Sequence, residues 1–261
     1  MKTKIRTILI FILMSVCAGA SFAALGAFSF PKDETVVFEN RSAGGKMAKV
    51  TNTYYRSGSN FVVKINEENG DITKIVVDKN FIPSSYQKMS RLGKIVEYAV
   101  YNNGKLSVSI PSRNMKKEVK LPSSYYDSYT LFYVFRTFPF DKKDTITINL
   151  AYHDPGNTRV VKMAVKNKGT ETVKIGAGKF KCYKLELGTV NPAEVAIWPY
   201  KYYFWFSTDP NRYFVKFQGR EKDASSIVSE LNTYKVGKKF VVKKSASNTS
   251  KTDYASFPLT D

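Results

Sequence analysis

The sequence predicts a mainly β protein whose antiparallel sheet curls into a barrel or a sandwich. Three observations support this. Aromatic residues make up 14% of the 261 residues, and with many Val, Ile and Thr they favour strands over helices. Short apolar or alternating runs, about a dozen in all, recur at regular spacing between Gly-, Asn- and Ser-rich turns. No repeat of fixed period and no strand–helix alternation competes with that pattern.

The first strands are expected over residues 35–39, 47–56, 61–66 and 72–77. Their connections, Ala43-Gly44-Gly45, Ser57-Gly58-Ser59-Asn60 and Glu68-Asn69-Gly70-Asp71, have the chemistry of tight turns. Strands over 94–101, 106–110 and 116–121 follow, with a second Asn-Gly turn at Asn103-Gly104. The pattern then breaks. Residues 125–138 are apolar almost all round, and Tyr129, Phe132, Phe135 and Arg136 recur near helical spacing. Asp127 is placed to cap a short buried helix of about ten residues that Pro139 would end. A strand is the alternative for so short an apolar run. Strands resume over 145–152, 159–166, 170–175, 179–187, 202–207, 213–218 and 226–234. The 145–152 strand alternates cleanly, which predicts one buried and one wet face.

Three segments are expected. Residues 1–23 read as a cleaved signal peptide: Lys2, Lys4 and Arg6 head an apolar run that ends at Cys17, and Ser21-Phe22-Ala23 fits a cleavage site. Cleavage after Ala20 fits nearly as well. The apolar run falls short of the roughly 20 residues of a membrane-spanning helix. Val16 before Cys17 argues against lipidation. Residues 24–242 form a single β-rich domain, and the Ser-, Thr-, Asn- and Lys-rich residues 243–261 form a tail expected to be disordered. The expected location is the periplasm, with the protein soluble or peripherally membrane-associated.

The net charge is +19, or +16 once the three cationic leader residues are gone. Such a surface suits anionic envelope partners such as lipid headgroups or acidic glycans, although solubilising Lys accounts for it equally well. Export makes nucleic acid a poor partner. Cys182 is the one cysteine after the leader, so no intramolecular disulfide forms, and its strand-like setting predicts an inert thiol.

Little in the chain points to catalysis. His153, the one histidine, is expected to be a solvated turn residue beside Asp154. No Gly-x-Ser-x-Gly elbow and no Gly-rich phosphate loop is present, and one His with one Cys is a poor zinc set. Scattered acids leave a glycosidase-type pair open but do not suggest one. The expectation is a non-enzyme with no cofactor and no metal. The most distinctive stretch is 196–217, where ten of 22 residues are Trp, Tyr or Phe. Its strands would carry aromatics on both faces, either as a two-sided core or with one face lining an apolar ligand cavity. Lys162, Lys184 and Lys216 interrupt the strands, which argues against an outer-membrane barrel.

Three stretches resemble a known family. They are Tyr126-Asp127-Ser128-Tyr129-Thr130-Leu131-Phe132-Tyr133-Val134-Phe135-Arg136, then Gly176-Ala177-Gly178-Lys179-Phe180-Lys181-Cys182-Tyr183-Lys184-Leu185, and Phe204-Trp205-Phe206-Ser207-Thr208-Asp209-Pro210-Asn211-Arg212-Tyr213-Phe214-Val215. Together they are similar to the exported bacterial proteins of domain-of-unknown-function family 3108. Asp127, Arg136, Gly178, Phe180, Trp205, Ser207, Asp209 and Arg212 are the matching positions, expected to be structural. The resemblance, over residues 36–235, implies an open half-barrel wrapped around the helix, like periplasmic carriers that shuttle lipoproteins. It implies no established activity. On this reading the protein is an exported, non-enzymatic envelope protein that shelters an apolar or lipid-like ligand such as an acyl chain. Phe132, Phe135, Tyr203 and Trp205 would line the cavity, with Lys and Arg at its mouth. The alternative is a structural or interaction β-domain that uses its basic surface for anionic envelope polymers or a protein partner.

Overall fold

The strand-forming runs pair in sequence order in the computed structural model, which describes residues 28–154, 157–190, 200–220 and 226–244. The first eight strands form a meander. They are β1 (Asp33–Ser42), β2 (Met47–Ser57), β3 (Asn60–Glu67), β4 (Ile72–Val77), β5 (Pro83–Met89), β6 (Ile95–Asn102), β7 (Lys105–Ile110) and β8 (Met115–Lys120). The second half holds β9 (Tyr126–Asp127), β10 (Thr145–Asp154), β11 (Asn157–Ile175), β12 (Gly178–Thr189), β13 (Tyr202–Ser207), β14 (Phe214–Arg220), β15 (Ser226–Val236) and β16 (Lys239–Lys243). Pairing of β1 with β15 joins the two meanders into one sheet, sixteen-stranded among the described residues, that runs from β8 at one edge to β9 at the other. Every pair is antiparallel except β9 with β10. The sheet stays open, but it curls until β8 lies beside β11. The Asn103-Gly104 turn between β6 and β7 has positive φ at both residues (48° and 69°), as a two-residue hairpin of the favoured twist requires.

The helical segment, residues 128–137, crosses the concave face. It is a 3₁₀ turn, a single α turn α1 (Leu131–Val134) and a second 3₁₀ turn. The Asp127 carboxylate accepts the Tyr129 backbone N–H at 2.7 Å, and the Thr130 hydroxyl donates to the Asp127 carbonyl at 2.8 Å. Phe138 turns extended ahead of Pro139, so the helix stops there. One side of the segment is aromatic and meets aromatics from the strands. Phe132 packs on Phe38 and Phe214 (ring centroids 5.7 and 4.6 Å), Phe135 on Phe204 (4.9 Å) and Tyr133 on Tyr54 (5.3 Å). The core is therefore the space between segment and sheet.

Four local expectations change. Strand β5 was not expected, because Pro83-Ser84-Ser85 carries no β-branched residue; Tyr86 anchors it from the concave side. Residues 159–166 and 170–175 are one strand, β11, with an irregularity between Asn167 and Thr170 where Gly169 takes φ +82°. In β10 every residue from Ile148 to Ala151 is buried, not one face only; the Asn149 amide reaches the Ser124 carbonyl at 2.8 Å. The domain runs past residue 242, since Lys243 closes β16 and Lys244 pairs with Glu39 at 3.0 Å. The leader expected over 1–23, the rest of the expected tail from residue 245, and Trp198 lie outside the described residues. Among the described residues no helix is long and apolar enough to cross a membrane.

Candidate functional site

Two buried charge clusters fix the helical segment, one at each end. At its start, Asp127 meets His153 from β10 and Tyr101 from β6. His153 Nε2 lies 3.0 Å from Asp127 Oδ2, and Nδ1 lies 2.8 Å from Glu97 Oε1 on β6. The Tyr101 hydroxyl donates to the same Asp127 oxygen. His153 is 1% exposed, under the rings of Tyr86 (4.3 Å) and Tyr129 (5.7 Å). Burial alone disfavours the imidazolium. The Asp127 and Glu97 carboxylates outweigh it and raise the pKa to about 9. Both ring nitrogens then carry protons and donate, so the ring has no lone pair for a metal. This corrects the expected solvated turn histidine. Its partners come from strands 26 and 56 residues away, which no local reading can see. The cluster also ties β6 to β9 and β10, which holds the curl of the sheet.

At the other end, Arg136 is 1% exposed and paired with Glu34 of β1 through both of its terminal nitrogens. The Tyr234 hydroxyl donates to the same carboxylate at 3.0 Å. Arg136 Nε and Nη2 also donate to the Asn211 carbonyl at 3.0 and 2.6 Å, and the Phe30 ring lies 4.7 Å from its guanidinium. The β13–β14 turn closes this end. Arg212 Nη1 donates to the Arg136 and Phe138 carbonyls at 3.1 and 3.2 Å, acceptors that the helix end leaves open. Asp209 sets the turn, its carbonyl accepting the Arg212 N–H at 2.8 Å. A buried ion pair is tolerable only when every remaining polar atom is satisfied, and these contacts do that.

Between the clusters a cavity of about 750 Å³ opens beside the start of the helical segment. Its wall is mostly apolar, with Phe38, Val50, Ile65, Phe132, Phe217 and Ile227, and also carries the buried polar side chains of Asn52 and Ser229. Exposed Lys46, Met47, Glu68 and Asn69 form the rim. Space arises because the concave side of β2 carries Ala48, Val50 and Asn52 before it reaches Tyr54. At Gly219 a Cβ would come within 2.6 Å of both the Phe217 and Tyr202 rings; glycine leaves room for that stacked pair behind the cavity wall.

The four residues expected to line a cavity are separated by the fold. Phe132 stands on its wall. Phe135 is sealed in the core at 0% exposure. Tyr203 and Trp205 point away from the segment, because they alternate with Phe204, which faces it. On the convex side Lys184 and Lys216 lie over the Trp205 ring at 5.1 and 5.5 Å, and the Trp205 Nε1–H donates to Glu171 at 2.5 Å. The expected basic mouth is mixed instead: Lys46 shares it with Glu67 and Glu68, and Glu67 pairs with Lys88 at 2.9 Å. Gly178 begins β12 at φ +141°, beneath the Phe180 ring, which meets Tyr213 edge-on. The Ser207 N–H bonds the Tyr213 carbonyl at 2.9 Å. Burial holds the Cys182 thiol up at about 12, as an inert residue requires. Sequence reasoning missed Ala48, Val50, Asn52, Ile227 and Ser229. Small or polar residues on the buried register of a strand such as β2 were the available signal.

The family model described as "Protein of unknown function (DUF3108)" matches residues 32–232. No curated protein matches the chain. Among solved structures, a β-barrel-like protein of domain of unknown function DUF1849 from Brucella abortus superimposes with a TM-score of 0.56 at 9% identity, covering 81% of this chain and 100% of that one. Its likeness is one of fold. The hypothetical lipoprotein YmcC from Escherichia coli K12 matches with a TM-score of 0.38 at 11% identity, covering 81% and 89%. A LolA superfamily protein, NE2245 from Nitrosomonas europaea, does so at 0.26 and 9% identity, covering 81% and 88%.

Proposed function

The chain belongs to the DUF3108 family of proteins of unknown function, and on that premise we propose that it is an exported, non-enzymatic binding protein that holds an apolar, lipid-like ligand. One observation carries the reading: the cavity beside Phe132. Its volume of about 750 Å³ falls within the roughly 300–1,000 Å³ of small-molecule sites, and its mostly apolar wall with a polar rim suits an amphiphile. The ligand's apolar body would lie against Phe38, Val50, Ile65 and Ile227, with its polar end near Lys46. His153, whose pKa is raised to about 9, is sealed and paired, so it supports the frame of the site.

Titration of the purified protein with a fluorescent fatty-acid probe tests the reading. A single saturable site is expected, and Ala48→Trp, which fills the cavity from β2, should weaken uptake by about tenfold or more, some 1.4 kcal/mol, while leaving the unfolding midpoint in place. Absence of uptake, or equal uptake by the Ala48→Trp protein, would sink it.

A further inference from the structure

We infer that the ligand carries a hydroxyl deep within its apolar body, and that Asn52 is the residue that selects for it. The inference rests on the binding reading above and adds a chemical class to it.

Asn52 stands on the cavity wall, 2% exposed, on the concave side of β2 between Val50 and Tyr54. Its Oδ1 is buried and makes no hydrogen bond within the protein. No other cavity-lining residue has such an atom among the described residues. The neighbouring polar pair is self-satisfied: the Ser229 hydroxyl donates to Asn40 Oδ1 at 2.6 Å. Burying an amide oxygen without a partner is costly, and a ligand donor would remove that cost. A hydroxyl is the group that suits the site best. It both donates and accepts, so it satisfies Asn52 whichever way the side-chain amide is turned.

The strand also gives the depth. Asn52 lies five residues along β2 from Met47 at the rim, or about 17 Å at the usual strand rise. An extended chain advances about 1.3 Å per bond, the value implied by a Cα–Cα step of three bonds. A ligand whose head stays near Lys46 therefore meets Asn52 about thirteen bonds down its chain. A hydroxyl near the head would not reach it.

Displacement of the fluorescent fatty-acid probe by three competitors tests this: octadecanoate, 3-hydroxyoctadecanoate and 12-hydroxyoctadecanoate. In the wild-type protein the 12-hydroxy acid should compete about three- to tenfold better than octadecanoate, the value of one net hydrogen bond, and the 3-hydroxy acid should show no such gain. In Asn52→Leu the gain should vanish while octadecanoate binds at least as well as before. Equal competition by all three acids in the wild-type protein, as expected if a buried water already serves Asn52, overturns the inference and leaves the binding reading standing. So does a 12-hydroxy preference that survives in Asn52→Leu. If none of the acids displaces the probe, both fall. The wild-type comparison decides the matter even where the variant does not fold.

Discussion

The two ends of the helical segment are built from similar parts and arrive at opposite results. Each is pinned by a buried ion pair with tyrosine hydroxyls, Asp127–His153–Glu97 at the start and Arg136–Glu34 at the finish. Around Arg136 the space is filled by Tyr54, Tyr133 and Phe30, with Tyr54 and Phe30 rings 5.4 Å apart. Around Ser128, Tyr129 and Phe132 it is left open as the cavity. The difference lies in the facing strand. On the concave side of β2, Tyr54 closes one end while Ala48, Val50 and Asn52 are too small to close the other. Buried charge thus sets where the segment lies, and side-chain size decides which end is hollow.

The closed end should respond most to disruption. Arg136→Met leaves Glu34 buried with only Tyr234 to partner it, and should cost about 3–5 kcal/mol in urea unfolding. Phe135→Ala should cost a similar amount, about 3–5 kcal/mol, by opening a void against Phe204. A loss below about 1 kcal/mol in either would mean that this end is not the closed one.

At the open end, His153→Gln removes the charge between two carboxylates. The sign of its pH effect follows from the raised pKa. The folded value of about 9 lies above the ordinary 6.5, so the contribution is fully present below pH 6.5 and is lost as pH rises through 9. The size is on the order of 3 kcal/mol. Tyr86, Tyr101 and Tyr129, which face the imidazole, are all pushed up by burial and stay neutral across that window. Wild-type unfolding free energy should therefore fall between pH 6.5 and 9 more steeply than the variant's; the fall above about 9 that the raised Cys182 thiol brings is common to both. A matching slope in both would put the titration elsewhere.

Phe132→Ala sharpens the contrast with Phe135→Ala. Phe132 is only half-buried, so its loss should cost about 1–2 kcal/mol but weaken fatty-acid uptake severalfold, whereas Phe135→Ala acts on stability first. Trp205→Phe should have the smallest effect on uptake. It forfeits the hydrogen bond from the buried Trp205 indole to Glu171, worth about 1–2 kcal/mol of stability, and should leave uptake unchanged because the ring lies on the convex face.

Much of the frame was legible along the chain. Short apolar runs between turn residues marked most strands, the Asn-Gly pairs marked turns, and Asp127 with Pro139 bounded the helical segment, because each of these is a local property. The stretches that resembled the family turn out to touch: Arg212 caps the helix end at Arg136, and Asp209 sets the turn that brings it there. What sequence did not yield depends on curl. The aromatics of β13 could be read as alternating, but which of Phe204 and Trp205 faced inward depends on register against β12 and β14. His153 looked like a turn residue because Glu97 and Asp127 reach it only when the sheet edges close on each other. The cavity escaped notice for a related reason. It is defined by missing bulk at Ala48 and Asn52, and attention went to where bulk was concentrated.

The claim that the open end is the binding site is tested most directly by crosslinking with a photoreactive fatty acid and mapping the adducts by peptide mass spectrometry. Adducts should fall on β2 from Met47 to Asn52 and on Ser128, Tyr129 and Phe132, and should be suppressed in Ala48→Trp. Adducts concentrated on Tyr203 and Trp205 of the convex face, or none above an unrelated control protein, would contradict it.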